Sequence, residues 1–185
     1  MTELSRWEGI RTLMDYKRER LRRRYRPPVV RLLFIGESPP ASGRFFYQQD
    51  SGLYRAMRDA FRMIDPSIND EGFLTVFQNT GCYLIDTCAD PVDHLDAQSR
   101  RAACRAGEPS LSRRIGRLQP ASIVTLLRSI RSNVARAVVE ARWHGPILEV
   151  PYPGRWARHR EIFVQALKPQ LRDLLRSPNK SLSEL

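Results

Sequence analysis

The chain has 185 residues, 42% of them apolar and 28% charged, which suits one domain with a sizeable core. Its formal net charge is +11 and its pI about 10.4, a balance that points to a polyanionic partner but carries no information about fold. Only Lys17, Lys168 and Lys180 are lysines among the 31 basic residues, so the charge is carried almost wholly by arginine. Cys82, Cys88 and Cys104 form no C-x-x-C pair, which argues against a disulfide framework, a four-thiolate metal site and an iron–sulfur cluster. The N-terminus is charged and lacks an apolar signal core, and no run approaches the ~18 apolar residues of a membrane helix. These features set the expectation of a cytoplasmic protein, monomeric, with no membrane partner, no metal and no cofactor.

In chain order, residues 5–26 read as a helix. Ser5 and Glu8 fit a capping box, and Trp7, Ile10, Met14, Leu21 and Tyr25 fall near one stripe. Its end, Lys17 to Arg26, is strongly basic. That end fits a solvated helix terminus complementing the helix dipole and a phosphate-tracking patch equally well. Pro27-Pro28 ends the helix, setting residues 1–28 apart as a basic segment packed on a domain spanning 29–176. Leu32 to Ile35 is a short apolar run that stops at Gly36, the pattern of a buried parallel strand. Glu37, Ser38, Pro39 and Pro40 follow, then Ala41-Ser42-Gly43 and the aromatics Phe45, Phe46 and Tyr47. In open α/β sheets ligands bind just beyond the carboxyl ends of strands, so this turn is placed where chemistry usually is.

Ser51 is placed to cap a helix over 52–64, with Leu53, Met57, Ala60, Phe61 and Ile64 at the helical period. A short helix is expected over 70–79, and a second strand over 82–88 with Asp86 near its end. Helices over 95–106 and 110–118 are rich in arginine. Pro120 precedes a third strand, Ser122 to Leu127, and Ile130, Val134, Ala137, Val138 and Ala141 mark a helix over 129–142. A fourth strand runs from Ile147 to Val150, broken by Pro151-Tyr152-Pro153-Gly154-Arg155-Trp156. A last helix covers 157–176, with Ile162, Leu167, Leu171 and Leu175 inside, and a polar tail covers 177–185. Strands alternating with helices predict an α/β fold: a single-domain αβα sandwich around a four-stranded parallel sheet.

The strand ending in Gly36-Glu37-Ser38-Pro39-Pro40 resembles the first motif of the uracil-DNA glycosylase superfamily, in which the first strand runs into Gly-x-x-Pro. Phe45 and Phe46 fill the place of the aromatic that follows. Leu118-Gln119-Pro120-Ala121-Ser122-Ile123-Val124 resembles the approach to the third strand, and Tyr152-Pro153-Gly154 stands where the family has H-P-S or N-P-S. The resemblance spans roughly residues 30–172. It implies an enzyme that flips a base out of DNA and hydrolyses its N-glycosidic bond.

Laid over these residues, the resemblance makes Glu37 the group that positions water, with Ser38 at the place of the family's acid. Tyr152 assists the leaving base, and Phe46 or Phe45 stacks on it. Asp86 reads its edge, and Pro40 stands where a bulky Tyr is usual. Arg155, Trp156, Arg158 and Arg160 form the DNA-binding loop, with Trp156 as an apolar wedge. A carboxylate only accepts hydrogen bonds, so Asp86 suits a base edge offering two donors. Read without the resemblance, Ser38 is a turn residue, since no His is placed to activate it, and Asp86 is a helix N-cap or an ion-pair partner for one of the many arginines, readings that stand level with base recognition. Two rivals stand beside the enzyme: a non-catalytic relative that binds DNA or a nucleotide, and a protein whose basic face docks an acidic partner.

Overall fold

The computed structural model describes residues 3–154 and 156–176, with side chains from Met14 onward. In chain order the elements are α1 (Glu3–Arg24), β1 (Leu32–Gly36), α2 (Gly52–Arg62), α3 (Phe73–Asn79), β2 (Cys82–Asp86), α4 (Ala97–Leu118), β3 (Ser122–Thr125), α5 (Arg131–Glu140), β4 (Ile147–Glu149) and α6 (Ala157–Arg176). Single 3₁₀ turns occur at Phe46–Gln48 and Arg128–Ile130. The strands form one parallel sheet in the order β2-β1-β3-β4.

The apolar runs dictate this arrangement. Every residue of β1 and β2 is buried, as expected of parallel strands covered on both faces, whereas β4 is a three-residue, half-exposed edge. The β1–β2 connection carries α2 and α3, and the C-terminal α6 packs on α2; the β2–β3 and β3–β4 connections carry α4 and α5, which pack on each other. The β1–β2 side of the sheet is filled by an aromatic cluster in which Phe34, Phe46, Phe61 and Phe73 surround Phe77 at centroid distances of 5.2–5.9 Å. The C-terminal half of α1 lies beside the β2 edge. The Gln78 amide donates to the Arg24 and Arg26 carbonyls, and Tyr25 stacks on Tyr47 at 5.8 Å. Tyr47 in turn satisfies the β2 edge, its hydroxyl donating to the Leu84 carbonyl at 3.1 Å and accepting from the Leu84 amide at 2.8 Å.

Several boundaries differ from expectation for identifiable reasons. Ser51 caps α2 by accepting from the Tyr54 amide at 3.1 Å, as its sequence position implies. The two helices expected over 95–106 and 110–118 are one. Asp96 caps α4 by accepting from the Gln98 and Ser99 amides, and the helix runs through Pro109. Proline removes one intrahelical donor, but Cys104, Leu111 and Ile115 stay buried on either side of it and hold the axis. On α6 the buried stripe is Phe163, Val164, Leu167, Leu171 and Leu174, so Ile162, expected inside, faces out. Met14 of α1 is also exposed. The expected Ser5–Glu8 capping box and the contributions of Trp7 and Ile10 concern side chains outside the described residues, as does the 177–185 tail. Among the described residues no helix is long and apolar enough to cross a membrane.

The α4–α5 contact is closed by a polar clasp. Glu108, largely buried on α4, accepts from Asn133 Nδ2 at 2.7 Å and from Arg136 Nε and Nη2 at 2.9 and 2.6 Å. The Arg136 guanidinium holds the Glu108 carboxyl below its ordinary range against the opposing effect of burial. A depressed folded-state value means that the clasp stabilises above the unfolded pKa and is lost as pH falls through the folded one. Glu108→Gln therefore flattens the acid limb of the stability–pH curve below about pH 4.5 and costs about 1 kcal/mol at neutral pH, the pair being partly solvent-screened. Urea titrations of both proteins between acid and neutral pH measure this.

Candidate functional site

The carboxyl ends of the strands carry two distinct groups of side chains, separated by the alternation of the strand backbone. Gly36 and Asp86 are register partners, so their Cβ directions share a face. The Asp86 carboxylate leans across Gly36 so closely that a Cβ there would lie 2.6 Å from Asp86 Oδ1, which is why β1 ends in glycine. Glu37, one residue on, turns to the opposite face, toward α4 and α5.

On the first face Asp86 is buried, and Arg22 of α1 donates to it from Nη2 to Oδ2 at 3.0 Å. The same guanidinium lies over the Phe45 ring, 5.3 Å from its centroid, and donates through Nη1 to Glu19 at 2.7 Å. Arg114 donates to the Asp86 backbone carbonyl at 2.7 Å. Burial outweighs these cations and raises the Asp86 carboxyl above its ordinary value. For Glu19 burial also acts upward, but Arg22 and Arg23 prevail and lower it. Tyr152 lies on the loop after β4. Burial and the Asp86 charge both raise its phenol, keeping it a proton donor at neutral pH, and its side chain is 43% exposed. Arg22 thus joins Phe45 to Asp86, and Tyr152 lies within range of the Asp86 charge.

On the second face, Glu37 is buried at the floor of a cleft of about 870 Å³ between α4 and α5. Arg100 grips it with both arms, Nε to Oε1 at 2.9 Å and Nη2 to Oε2, and Ser129 Oγ is 3.5 Å from Oε1. Leu95, Gln98, Arg101, Arg105 and Ser132 complete the walls, with Asn133 and Arg136 from the clasp at one end. This cleft opens at the junction of β1 and β3, where the strand order reverses and ligands of open α/β sheets bind. Cys104 Sγ is 3.5 Å from Cys88 Sγ and 3.8 Å from Glu37 Oε1, and all three cysteines are buried thiols. Burial pushes the Cys88 thiol far up and the Cys82 thiol to about 12, so both stay protonated.

The remaining expected site residues are placed as follows. Phe46 is buried in the aromatic cluster, edge-on to Tyr47 and Tyr54, and presents no face to either group. Its neighbour Phe45, equally buried, is the ring that Arg22 covers. The reason is the 3₁₀ turn beginning at Phe46, which swings consecutive side chains in different directions. Ser38 Oγ accepts from the Val92 amide at 3.2 Å, tying the loops after β1 and β2 together. Pro40 lies half-buried in the same turn, its carbonyl accepting from Gly43. Trp156 is 73% exposed beside the exposed Arg158, and Arg160 reaches Asp59 at 4.0 Å. Arg155 lies outside the described residues. Among the described residues no cluster of His, Cys, Asp or Glu is arranged to hold a metal ion.

Sequence reasoning missed Arg22, Arg100 and Arg114, each of which contacts a strand-end residue from a distant helix. Their only advance signal was arginine density on α1 and α4. No known family model matches the chain, and no curated protein matches it.

Proposed function

We propose that this protein is a divergent uracil-DNA glycosylase-like N-glycosidase that takes a flipped base against Phe45 and hydrolyses its bond to the sugar. The observation that supports this most is the placement of Phe45 and Asp86 together, on the two sides of the Arg22 guanidinium, at the carboxyl ends of β1 and β2 in a β2-β1-β3-β4 parallel sheet. In this reading Phe45 supplies the stacking face, Asp86 accepts from the base edge, and the Tyr152 hydroxyl donates to the leaving base as negative charge develops on it. Glu37 faces the adjoining cleft, so its water-orienting role requires the sugar to sit across the Gly36–Pro40 turn. The phosphates would then meet Arg101 and Arg105, which line this cleft.

A second reading, a non-catalytic nucleic-acid or nucleotide-binding relative, is favoured by one observation. Both strand-end carboxylates are already engaged by arginines, Glu37 by Arg100 and Asp86 by Arg22. The test is incubation with duplex and single-stranded oligonucleotides carrying guanine lesions, uracil, hypoxanthine, xanthine or alkylated bases, followed by cleavage at abasic sites. Strand scission that falls about a hundredfold in Tyr152→Phe is the expected result, the size of losing one donor to a developing anion. Salt-sensitive binding without scission on any substrate leaves the second reading.

A further inference from the structure

The site at Phe45 already has an occupant. The Arg22 side chain, only 12% exposed, places its planar guanidinium over the Phe45 ring and one donor on the Asp86 carboxylate. We propose that Arg22 stands where the substrate base goes, and that the base selected there presents a ring N–H beside an exocyclic amino group, as guanine and guanine lesions retaining that edge do. This rests on reading Phe45, Asp86 and Tyr152 as a base site.

Arg22 shows by its own contacts what the site accepts. A guanidinium and the N1–H/2-amino edge of guanine are both flat, delocalised and donor-rich, and both stack on an aromatic face. A carboxylate offers only acceptors. Asp86 Oδ2 takes one donor from Arg22, and Oδ1, which packs over Gly36, receives none among the described residues, so the carboxylate keeps acceptor capacity that Arg22 does not use. Uracil brings one N–H between two carbonyl oxygens, which a carboxylate repels.

Arg22 is an imperfect occupant. Its Nε is buried with no hydrogen-bond partner, a cost that a guanine edge seated on the Asp86 carboxylate does not carry. Asp86 does not become an isolated anion when Arg22 leaves, because Arg114 and Arg18 still act on its charge. Glu19 holds Arg22 from the same helix, so the occupant moves with α1, and α1 serves as a self-inhibitory strap over the site.

The experiment compares wild-type protein, Arg22→Ala and Glu19→Gln by calorimetric titration with deoxyguanosine and deoxyuridine. An occluded site weakens apparent affinity in proportion to the fraction of molecules in which it is open. Arg22→Ala is therefore expected to bind deoxyguanosine about tenfold or more tightly than wild type. Glu19→Gln, which frees one anchor of Arg22 without altering the site, is expected to show a smaller gain of about two- to threefold. Neither variant gains affinity for deoxyuridine, and adding Asp86→Asn to Arg22→Ala abolishes the deoxyguanosine gain. Methylguanidinium is expected to raise the melting temperature of Arg22→Ala and not that of wild type.

Equal deoxyguanosine affinity in all three proteins, or a deoxyuridine gain as large as that for deoxyguanosine, overturns the proposal. If Arg22→Ala does not fold, Glu19→Gln decides alone. Binding gains with no excision of any lesion would refute the glycosidase reading and leave this inference standing. Excision of uracil together with unchanged binding in the variants would do the reverse.

Discussion

Phe46→Ala is expected to lower the unfolding free energy by about 4 kcal/mol, the loss typical of truncating a buried phenylalanine in a packed core. Phe46 contacts Tyr47, Tyr54, Phe73 and Phe77 at centroid distances of 5.0–6.5 Å and is buried against them all. Aromatic pairs of this kind add to the area term, and no mobile side chain is placed to refill the space. Phe45→Ala behaves differently. That ring is just as buried, but one face is covered by the Arg22 guanidinium rather than by other rings, so truncation is expected to cost about 3 kcal/mol, the low end for a buried phenylalanine. Urea unfolding of the two variants side by side measures the difference. A Phe46→Ala protein within 1 kcal/mol of wild type would show that the ring is not core, and would return it to the list of stacking candidates.

Gly107→Ala sets helix propensity against packing, and packing is expected to win. Gly107 lies within α4, where alanine is ordinarily favoured over glycine by about 1 kcal/mol. A Cβ at this position, however, would lie 2.4 Å from the Thr87 carbonyl oxygen and 3.1 Å from its carbon. Those are backbone atoms at the end of β2, anchored by the Thr87 amide and hydroxyl bonding to the Gly36 carbonyl at 2.9 and 3.0 Å, and cannot rotate away. Relieving the contact means moving α4 off the sheet. Overpacking of this kind costs about 3 kcal/mol, so the net loss is about 2 kcal/mol. The displacement also carries Arg100 away from Glu37, because both hang from the two elements being separated. Thermal unfolding reads the first effect. Anion binding in the α4–α5 cleft, followed with a short labelled oligonucleotide at several salt concentrations, reads the second. A variant more stable than wild type would mean that the close approach carries no energetic weight.

The site was only partly legible in the chain. Asp86 and Tyr152 were placed by strand ends, and strand ends are a local property of apolar runs and prolines. Separating Phe45 from Phe46 was beyond such reasoning, since the choice depends on the backbone path of a single 3₁₀ turn. Glu37 was expected beside Asp86 because both follow buried strands. The register pairs Asp86 with Gly36 rather than with Glu37, and a one-residue offset in a strand sends a side chain to the opposite face. Pro109 read as a helix boundary because its local effect is to remove a donor, whereas burial along α4 overrides it.

What the amino-acid sequence determined by itself was the class of fold and the place of its loops. Four short apolar runs separated by helix-length amphipathic segments have few stable solutions, because the central runs must be covered on both faces. The α/β parallel sheet follows from that constraint alone. Only the tertiary structure decided the partners of its charges. Asp86 meets Arg22 across 64 positions of chain and Glu37 meets Arg100 across 63, and such pairings arise from helix packing rather than from local pattern. An arginine is equally at home on a solvated helix face and over a phenylalanine beside a buried carboxylate. Its residue type is the same in both, and only the fold determines where it lies.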